Sequence, residues 1–153
     1  MKNFLLIICL LIMSCTGCSK QDKGCKTVEP KAEEQQILAY AKADSIQVTK
    51  HSSGIYYQVI NPGSGEAPSQ NSNVSVTYTG QLLNGTTFDQ QTNPVSFNLS
   101  GVIEGWQIGI PLIKKGGRIK LIIPSAYAYG CNGNTGIPPN SVLYFDVSLF
   151  NVQ

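Results

Sequence analysis

The sequence predicts an α+β fold in which an antiparallel sheet wraps over one short helix, with a second short helix ahead of the sheet. The second half of the chain contains many short segments of alternating apolar and polar residues, separated by turn-forming residues. One segment, residues 106–113, instead places apolar side chains at helical spacing. Only 13% of the 153 residues are charged, and 15 glycines and 8 prolines indicate frequent turns within one domain.

The N-terminus resembles an export signal. Lys2 precedes an apolar run at residues 4–13, which is too short to span a bilayer and is typical of a signal peptide. The run ends in SCTGCSK, residues 14–20, which resembles the lipobox of bacterial lipoproteins. We expect the lipid on Cys18, with Cys15 as the alternative, and the protein on the cell envelope, held to the membrane by this anchor. An ordinary signal peptide cleaved nearby is the other interpretation.

Four segments follow from these patterns: a lipoprotein signal peptide at residues 1–17, a flexible polar tether at 18–31, a helix with a linker at 32–52, and the main domain at 53–153. The helix is predicted over residues 32–45, because Ile37, Leu38 and Ala41 form a narrow apolar face. Acidic residues lie near its start, where the helix dipole favours them. A face this narrow predicts that the helix packs on another element.

The strands of the main domain follow in order. Alternation is clear at residues 55–60 and 74–79, and Asn84-Gly85 is a strong hairpin signal. Phe97 and Leu99 mark a short strand, and residues 118–123 and 142–150 form two longer ones. Between them lies the central helix, in which Trp106, Ile110 and Ile113 occupy positions i, i+4 and i+7. Pro111 lies inside this helix and should distort it.

The charge pattern gives no support for nucleic-acid binding. Lys and Arg total 11 against 9 for Asp and Glu. Four basic residues cluster without interleaved aromatic side chains and indicate a solvated turn and strand edge; they are Lys114, Lys115, Arg118 and Lys120. We therefore expect no nucleic-acid partner.

The cysteines of the exported part of the chain raise the question of a disulfide. An exported protein meets an oxidising compartment, in which Cys25 and Cys131 could form a disulfide. Cys25, however, lies in the predicted tether, and no sequence feature brings it close to Cys131. We expect the two not to pair.

The usual catalytic sets are missing from the sequence. His51 is the only histidine, and its neighbours indicate a solvated linker rather than a triad or a histidine-rich metal site. The glycine-rich segment at residues 63–65 lacks the Gly-Lys-Ser/Thr of a phosphate loop. We expect neither a metal nor a cofactor.

A set of aromatic and aliphatic residues lies beside the turns, and composition alone would assign these residues to the core. Their order indicates more. The sequence contains the runs VTYTG (76–80), GTTFD (85–89), VIEGW (102–106), KKGGRIKLIIP (114–124), AYAYG (126–130) and GIPPNSVLYFDVSL (136–149). Six such runs in this order, across residues 53–153, resemble the FKBP-type peptidyl-prolyl cis/trans isomerases. The resemblance implies a five- or six-stranded antiparallel sheet that curls around the Trp106 helix.

The resemblance also implies a shallow hydrophobic pocket for proline. Trp106 would form its floor, with walls from Tyr78, Phe88, Val102, Ile103 and Phe145. Asp89 would be the polar group on one wall, and Ile137 would border the entrance. The Tyr129 hydroxyl and the Ile103 backbone N–H would hold substrate carbonyls, so that Tyr78, Asp89, Ile103 and Tyr129 form the catalytic set. One wall that is aromatic in many relatives is Val95 here, and we assign Phe97 to the core.

Prolyl isomerisation explains why no nucleophile is needed. The X–Pro amide must twist through a barrier of about 18–20 kcal/mol, and the twisted amide is less polar than the planar one. A dry aromatic pocket favours the twisted state, which is differential binding. The expected partners are proline-containing segments of exported proteins and macrolides of the tacrolimus or rapamycin type. Two alternatives stay open: a binding module with little turnover, acting as a chaperone or scaffold, and an unrelated β protein in which these residues are only core.

Overall fold

A computed structural model describes residues 24–153 and confirms the predicted fold class. The strands are β1 (Thr49–Lys50), β2 (Tyr56–Asn61), β3 (Asn73–Leu82), β4 (Thr87–Asn98), β5 (Arg118–Ile123) and β6 (Leu143–Val152). They form one six-stranded antiparallel sheet in the order β1-β2-β5-β6-β3-β4. The predicted signal peptide, Cys15 and Cys18 lie outside the described residues. Within the described part, every helix is too short or too polar to cross a membrane.

The central helix, α2 (Glu104–Gly109), lies against the concave face of the sheet. It continues as a 3₁₀ turn at Ile110–Leu112 that contains Pro111, which confirms the predicted distortion. Two glycines let the helix approach β5 closely: a Cβ on Gly105 would lie 2.4 Å from Ile123 Cγ2, and one on Gly109 would lie 2.6 Å from Leu121 Cδ2. Trp106, between these glycines, is therefore held deep in the concave face, with 4% of its surface exposed.

The N-terminal helix packs on the other face of the sheet. A 3₁₀ turn at Pro30–Glu33 leads into α1 (Glu34–Ala43), so the helical segment begins two residues earlier than predicted. Pro30 explains the early start, because its fixed φ suits the first position of a helix. Buried Ile37 and Ala41 contact a second apolar cluster that contains Tyr56, Ile122 and Tyr144. The prediction that the narrow apolar face lies on another element is confirmed.

The sheet is more extensive than the sequence indicated. β1 lies in the segment predicted as linker and pairs with the start of β2, so the sheet begins before residue 53. The Asn84-Gly85 hairpin is confirmed, with Gly85 at φ +86°. β4 is a 12-residue strand rather than a short one near Phe97. It accommodates Pro94 because it is the edge strand and because its register shifts near that residue.

The basic cluster is only partly as predicted. Lys114 and Lys115 lie in an exposed turn. β5, however, is flanked by β2 and β6, so Arg118 and Lys120 do not lie on a sheet edge. Arg118 instead donates two hydrogen bonds of 2.8 Å to the carboxylate of Asp146 on the neighbouring strand.

Cys25 and Cys131 form a disulfide, and the expectation that they do not pair is wrong. Their Cα atoms lie 5.4 Å apart, which is an ordinary separation for bridged cysteines. The segment between Cys25 and Pro30 runs beside the loop that contains Cys131, with Thr27 Oγ1 3.7 Å from Cys131 Sγ. The predicted tether is therefore fixed to the domain from Cys25 onward.

Candidate functional site

An apolar cavity of about 300 Å³ opens beside the first turn of α2. It is lined by Tyr78, Phe88, Asp89, Phe97, Gly101, Val102, Ile103, Trp106, Tyr129 and Phe145. Eight of the nine residues that the sequence assigned to the pocket line this cavity. The exception is Ile137, which is described below.

Aromatic rings form the floor and much of the wall. The Trp106 ring centroid lies 5.0 Å from that of Tyr78 and 5.3 Å from that of Phe145, with the ring planes steeply inclined. Phe88 contacts Phe145 in the same edge-on manner, with a centroid distance of 5.6 Å. Edge-to-face contacts of this kind are favourable and fix the relative orientation of the rings. The cavity therefore presents a rigid apolar surface.

Strand periodicity and one glycine place these rings. Val76 and Tyr78 on β3, and Phe145 on β6, point to the α2 side of the sheet, as alternation along a strand requires. Gly80 follows on the same face and pairs with Phe145 across the strands. A Cβ on Gly80 would lie 2.8 Å from both Phe145 Cε1 and Phe88 Cζ. The absence of a side chain at Gly80 thus provides the space for both rings.

Tyr78 and Asp89 form the polar part of the wall. The Tyr78 hydroxyl donates a 2.5 Å hydrogen bond to Asp89 Oδ2. Burial, followed by this bond and the nearby carboxylate charge, raises the pKa of Tyr78 well above its ordinary value. The phenol therefore stays protonated at physiological pH, and the hydrogen bond holds the ring and the carboxylate in fixed positions.

Two hydrogen-bond donors face the cavity without an acceptor among residues 24–153. Ile103 precedes α2, and its carbonyl accepts the Trp106 N–H at 2.9 Å, but its own N–H donates to no described group. The half-buried Tyr129 likewise has a hydroxyl that bonds to no described partner. Such donors beside an apolar cavity can bind the carbonyl groups of a peptide.

Phe97 lines the cavity, although the sequence analysis assigned it to the core. Its ring centroid lies 5.9 Å from that of Trp106 and 6.1 Å from that of Tyr78. The available signal was its spacing: Phe97 lies two residues after Val95 on β4, so both side chains point to the face that carries Trp106. The aromatic wall that Val95 lacks is supplied in part by Phe97.

Ile137 does not line the cavity. It is 5% exposed and packs in the main core cluster. Reciprocal backbone hydrogen bonds of 2.8 and 2.9 Å between Asn134 and Ile137 close a tight turn that directs this side chain inward. Ile137 therefore belongs to the core and not to the cavity wall.

A second cavity, of about 440 Å³, lies on the opposite face of the sheet. Its lining is polar and includes Thr77, Thr79, Gln91 and the Arg118–Asp146 ion pair. Its charged groups already pair with each other, and of the aromatic cluster around Trp106 only Tyr78 contributes to its lining. The smaller cavity is therefore the candidate functional site.

Comparison with known proteins gives consistent matches to one family. The family described as FKBP-type peptidyl-prolyl cis-trans isomerase matches residues 64–150, more than half of the chain. The chain is 44% identical over 138 residues to the FKBP-type peptidyl-prolyl cis-trans isomerase FkpA of Escherichia coli K12, and 39% identical over 138 residues to FkpA of Aeromonas hydrophila. Each match covers 88% of this chain and 50% of the relative, so the chain spans about half the length of these curated relatives.

Solved structures show the same fold. The crystal structure of FkpA from E. coli matches with a TM-score of 0.72 at 44% identity, covering 81% of this chain and 61% of that one. A peptidyl-prolyl cis-trans isomerase from Pseudomonas syringae matches with a TM-score of 0.70 at 31% identity, covering 84% of this chain and 98% of that one.

Proposed function

Because the chain belongs to the FKBP-type peptidyl-prolyl cis-trans isomerase family, we propose that its aromatic cavity binds the proline of an X–Pro segment and accelerates isomerisation of the preceding amide. The observation that carries the proposal is the combination of a rigid apolar floor at Trp106 with unpaired donors at Ile103 and Tyr129. A proline ring fits an apolar floor, and the donors match the carbonyls that flank it.

The mechanism follows from the polarity of the cavity. Rotation about the X–Pro bond removes amide resonance, and with it part of the carbonyl dipole. Transfer into an apolar cavity costs the planar, more polar amide more than it costs the twisted one. The rings of Trp106, Phe145 and Phe88 therefore lower the barrier by binding the twisted state better than the ground state. The chain forms no covalent bond with the substrate in this step.

The donors keep the substrate in place while one group rotates. The Ile103 N–H and the Tyr129 hydroxyl each bind a carbonyl that flanks the reacting amide. Asp89, held by Tyr78, places a negative oxygen at the wall, where it favours one orientation of the amide dipole. Phe97 and Val102 close the apolar surface around the proline ring.

The same surface suits macrolides that present a proline-like ring. We expect tacrolimus- or rapamycin-like compounds to bind in the cavity and compete with peptide.

The proposed substrates are proline-containing segments of exported proteins as they fold. Two observations support an extracytoplasmic location. The Cys25–Cys131 disulfide is typical of proteins in oxidising compartments. The sequence at residues 14–20 resembles a lipoprotein processing site, with Cys18 as the proposed lipid-bearing residue on the cell envelope.

An isomerisation assay on the purified protein tests the activity. We expect it to accelerate cis–trans exchange of an X–Pro peptide, measured by NMR exchange spectroscopy, and the proline-limited phase of protein refolding. Phe88→Ala should lower the rate strongly, because this half-buried ring lines the cavity. Phe150→Ala is the matched control, since Phe150 is 50% exposed and does not line the cavity. Peptide binding without acceleration would refute the enzyme and favour a binding module.

The lipid anchor is tested separately by intact mass. Protein extracted from membranes of the native host should have Cys18 as its acylated N-terminal residue. A mature N-terminus at Cys15, or an unmodified soluble product, would contradict the assignment of Cys18.

A further inference from the structure

We propose that the segment at residues 25–33, which contacts the loop that carries Tyr129, positions this tyrosine for catalysis through a buried carboxylate, Glu33, and the Cys25–Cys131 disulfide. The inference rests on the proposed function, because it assigns a role in the same reaction to residues that do not touch the substrate. Neither Glu33 nor Cys25 lines the cavity.

Glu33 holds the start of the loop that carries Tyr129. It is 3% exposed, although it is a carboxylate in a segment outside the main sheet. Its Oε2 accepts the Ser125 N–H at 2.8 Å, and its Oε1 accepts the Ser125 hydroxyl at 2.6 Å. Ser125 is fully buried and begins the 3₁₀ turn Ser125–Tyr127. A contact across 92 residues therefore fixes the point at which the loop leaves β5.

The disulfide holds the other end of the same loop. Cys131 lies two residues after Tyr129 and is bonded to Cys25. The Tyr127 hydroxyl adds a 2.7 Å hydrogen bond to the Ser53 carbonyl between these two points. The N-terminal segment thus fixes the loop on both sides of Tyr129.

Tyr129 depends on this support more than the other wall residues do. Tyr78 lies in a strand, and its hydroxyl is bonded to Asp89. Tyr129 lies between two short 3₁₀ turns, and its hydroxyl has no partner among residues 24–153. Its ring packs against the main core cluster, and the Asn140 N–H donates a 2.8 Å bond to the carbonyl of the next residue, Gly130. No bond of its own fixes the Tyr129 hydroxyl, so its direction also depends on the loop backbone, which Glu33 and Cys25 hold at the two ends.

Burial of a carboxylate has a cost that its partners must offset. Removal of an ionised group from water is unfavourable unless the group is hydrogen-bonded, and both oxygens of Glu33 are used in this way. An apolar residue would fill the same space without this cost. The two hydrogen bonds from Ser125 to Glu33 are directional, so they fix the position of the loop more closely than apolar contacts would.

A double-mutant cycle separates positioning from general stability. Glu33→Gln keeps the size of the side chain but removes its charge and replaces one acceptor oxygen with an NH2 donor. The Ser125 hydroxyl must then turn from donor to acceptor, and both contacts with Ser125 lose the charge of the carboxylate, so the loop is held less firmly. We expect the substitution to lower kcat/KM by at most about 2–13-fold, the loss expected when the Tyr129 hydroxyl makes no hydrogen bond to the substrate, with KM for the peptide little changed. In a Tyr129→Phe background the same substitution should change kcat/KM by less than about twofold, because the hydroxyl that it positions is already absent.

Glu34→Gln is the matched control. Glu34 is the next residue and bonds to Tyr56 and Lys50, away from the Tyr129 loop, so this variant should keep wild-type kinetics. A double Cys25→Ser, Cys131→Ser variant should behave like Glu33→Gln: it should lower kcat/KM when Tyr129 is present and have little effect in the Tyr129→Phe background. It also tests the proposal if Glu33→Gln fails to fold. All variants are assayed well below their measured midpoints of thermal unfolding.

The outcomes distinguish this inference from the proposed function. A wild-type protein without activity refutes the proposed function. If the wild type is active, but Glu33→Gln lowers kcat/KM by the same factor in the Tyr129→Phe background as in the wild type, only the positioning role is overturned. A readout independent of turnover is the ¹³C signal of the Tyr129 ring, which should shift in Glu33→Gln and in the disulfide-free variant but not in Glu34→Gln. Unchanged Tyr129 signals in both would also overturn it.

Discussion

At the scale of single residues, the Tyr129 hydroxyl is the group whose removal best distinguishes catalysis from passive peptide binding. If it binds a substrate carbonyl more strongly as the amide twists, Tyr129→Phe should lower kcat/KM more than it weakens ground-state peptide binding. One neutral hydrogen bond contributes about 0.5–1.5 kcal/mol, so the expected loss is about 2–13-fold. Isomerisation kinetics and peptide affinity measured on the same variant check this. Equal losses in both would indicate a simple proline-binding cavity.

Asp89 and Tyr78 should behave as one unit. Asp89→Val removes the acceptor of the 2.5 Å bond, and Tyr78→Phe removes its donor. If the carboxylate acts by holding the Tyr78 ring, each substitution should lower kcat/KM by several-fold, and the double variant should lose little more than either single one. If the effects on kcat/KM multiply instead, Asp89 acts on the substrate directly and independently of Tyr78.

The sequence predicted the lining of the cavity well where a motif places residues on regular structure. Tyr78, Phe88 and Phe145 lie on strands, so alternation determines which way each side chain points. The two differences lie where local patterns carry less information. Phe97 follows a register shift in an edge strand, and Ile137 is turned inward by backbone bonds to Asn134.

At the scale of secondary-structure elements, the cavity floor depends on the packing of α2 against β5. Gly105→Ala would place a methyl group 2.4 Å from Ile123 Cγ2. The helix would have to move away from the strand and carry Trp106 with it. Overpacking of this kind costs about 1–3 kcal/mol, which exceeds the roughly 0.5–1 kcal/mol gained when Ala replaces Gly in a helix. We therefore expect lower stability and weaker peptide binding.

Chemical denaturation and peptide titration measure both effects. Gly24→Ala is the control for both measurements, since an added methyl group there meets nothing within 4 Å and Gly24 does not line the cavity. Combining Gly105→Ala with Ile123→Ala should cost less than the sum of the single losses, because the smaller side chain removes the clash. Strict additivity would show that the predicted contact does not limit the helix position.

Elements were predictable from the sequence to the extent that their signals are local. The helices, the Asn84-Gly85 hairpin and the strands β2, β3, β5 and β6 all have periodicity or turn chemistry of their own. β1 has only two residues and forms because β2 is beside it, which no local pattern shows. The length of β4 depends on its edge position, which tolerates Pro94 but is known only once the strand order is known.

At the scale of the whole molecule, the contacts that the sequence did not predict are those between distant segments. Cys25 and Cys131 are 106 residues apart, and Glu33 and Ser125 are 92 apart. Both join the N-terminal segment to the loop that carries Tyr129. Composition and periodicity describe neighbours along the chain, so they give no information about such pairs. The expectation of an unattached tether failed for this reason.

The alkaline stability of the whole domain should depend on its buried tyrosines. Tyr144 lies under α1 and is 8% exposed. Burial, and then the nearby Asp146, raise the pKa of Tyr144 to about 12, against about 10 in the unfolded chain. Below pH 10 both states keep the proton, so Tyr144 gives no pH dependence there. Between pH 10 and 12 only the unfolded state loses it, so the free energy of unfolding falls as pH rises.

Tyr144→Phe isolates this contribution, because it keeps the ring and removes a hydroxyl that has no hydrogen-bond partner among residues 24–153. At pH 11 the ionisation of Tyr144 alone should lower the free energy of unfolding of the wild type by about 1.4 kcal/mol, and this loss should be absent in the variant. Tyr40, Tyr56 and Tyr78 also have raised pKa values, so the variant should still lose stability, but less steeply. Urea unfolding at intervals from pH 7 to 11 tests this. The difference in unfolding free energy between the variant and the wild type should stay constant up to about pH 9 and then move in favour of the variant, whichever protein is more stable at neutral pH. A difference that stays constant up to pH 11 would show that Tyr144 ionises equally in both states.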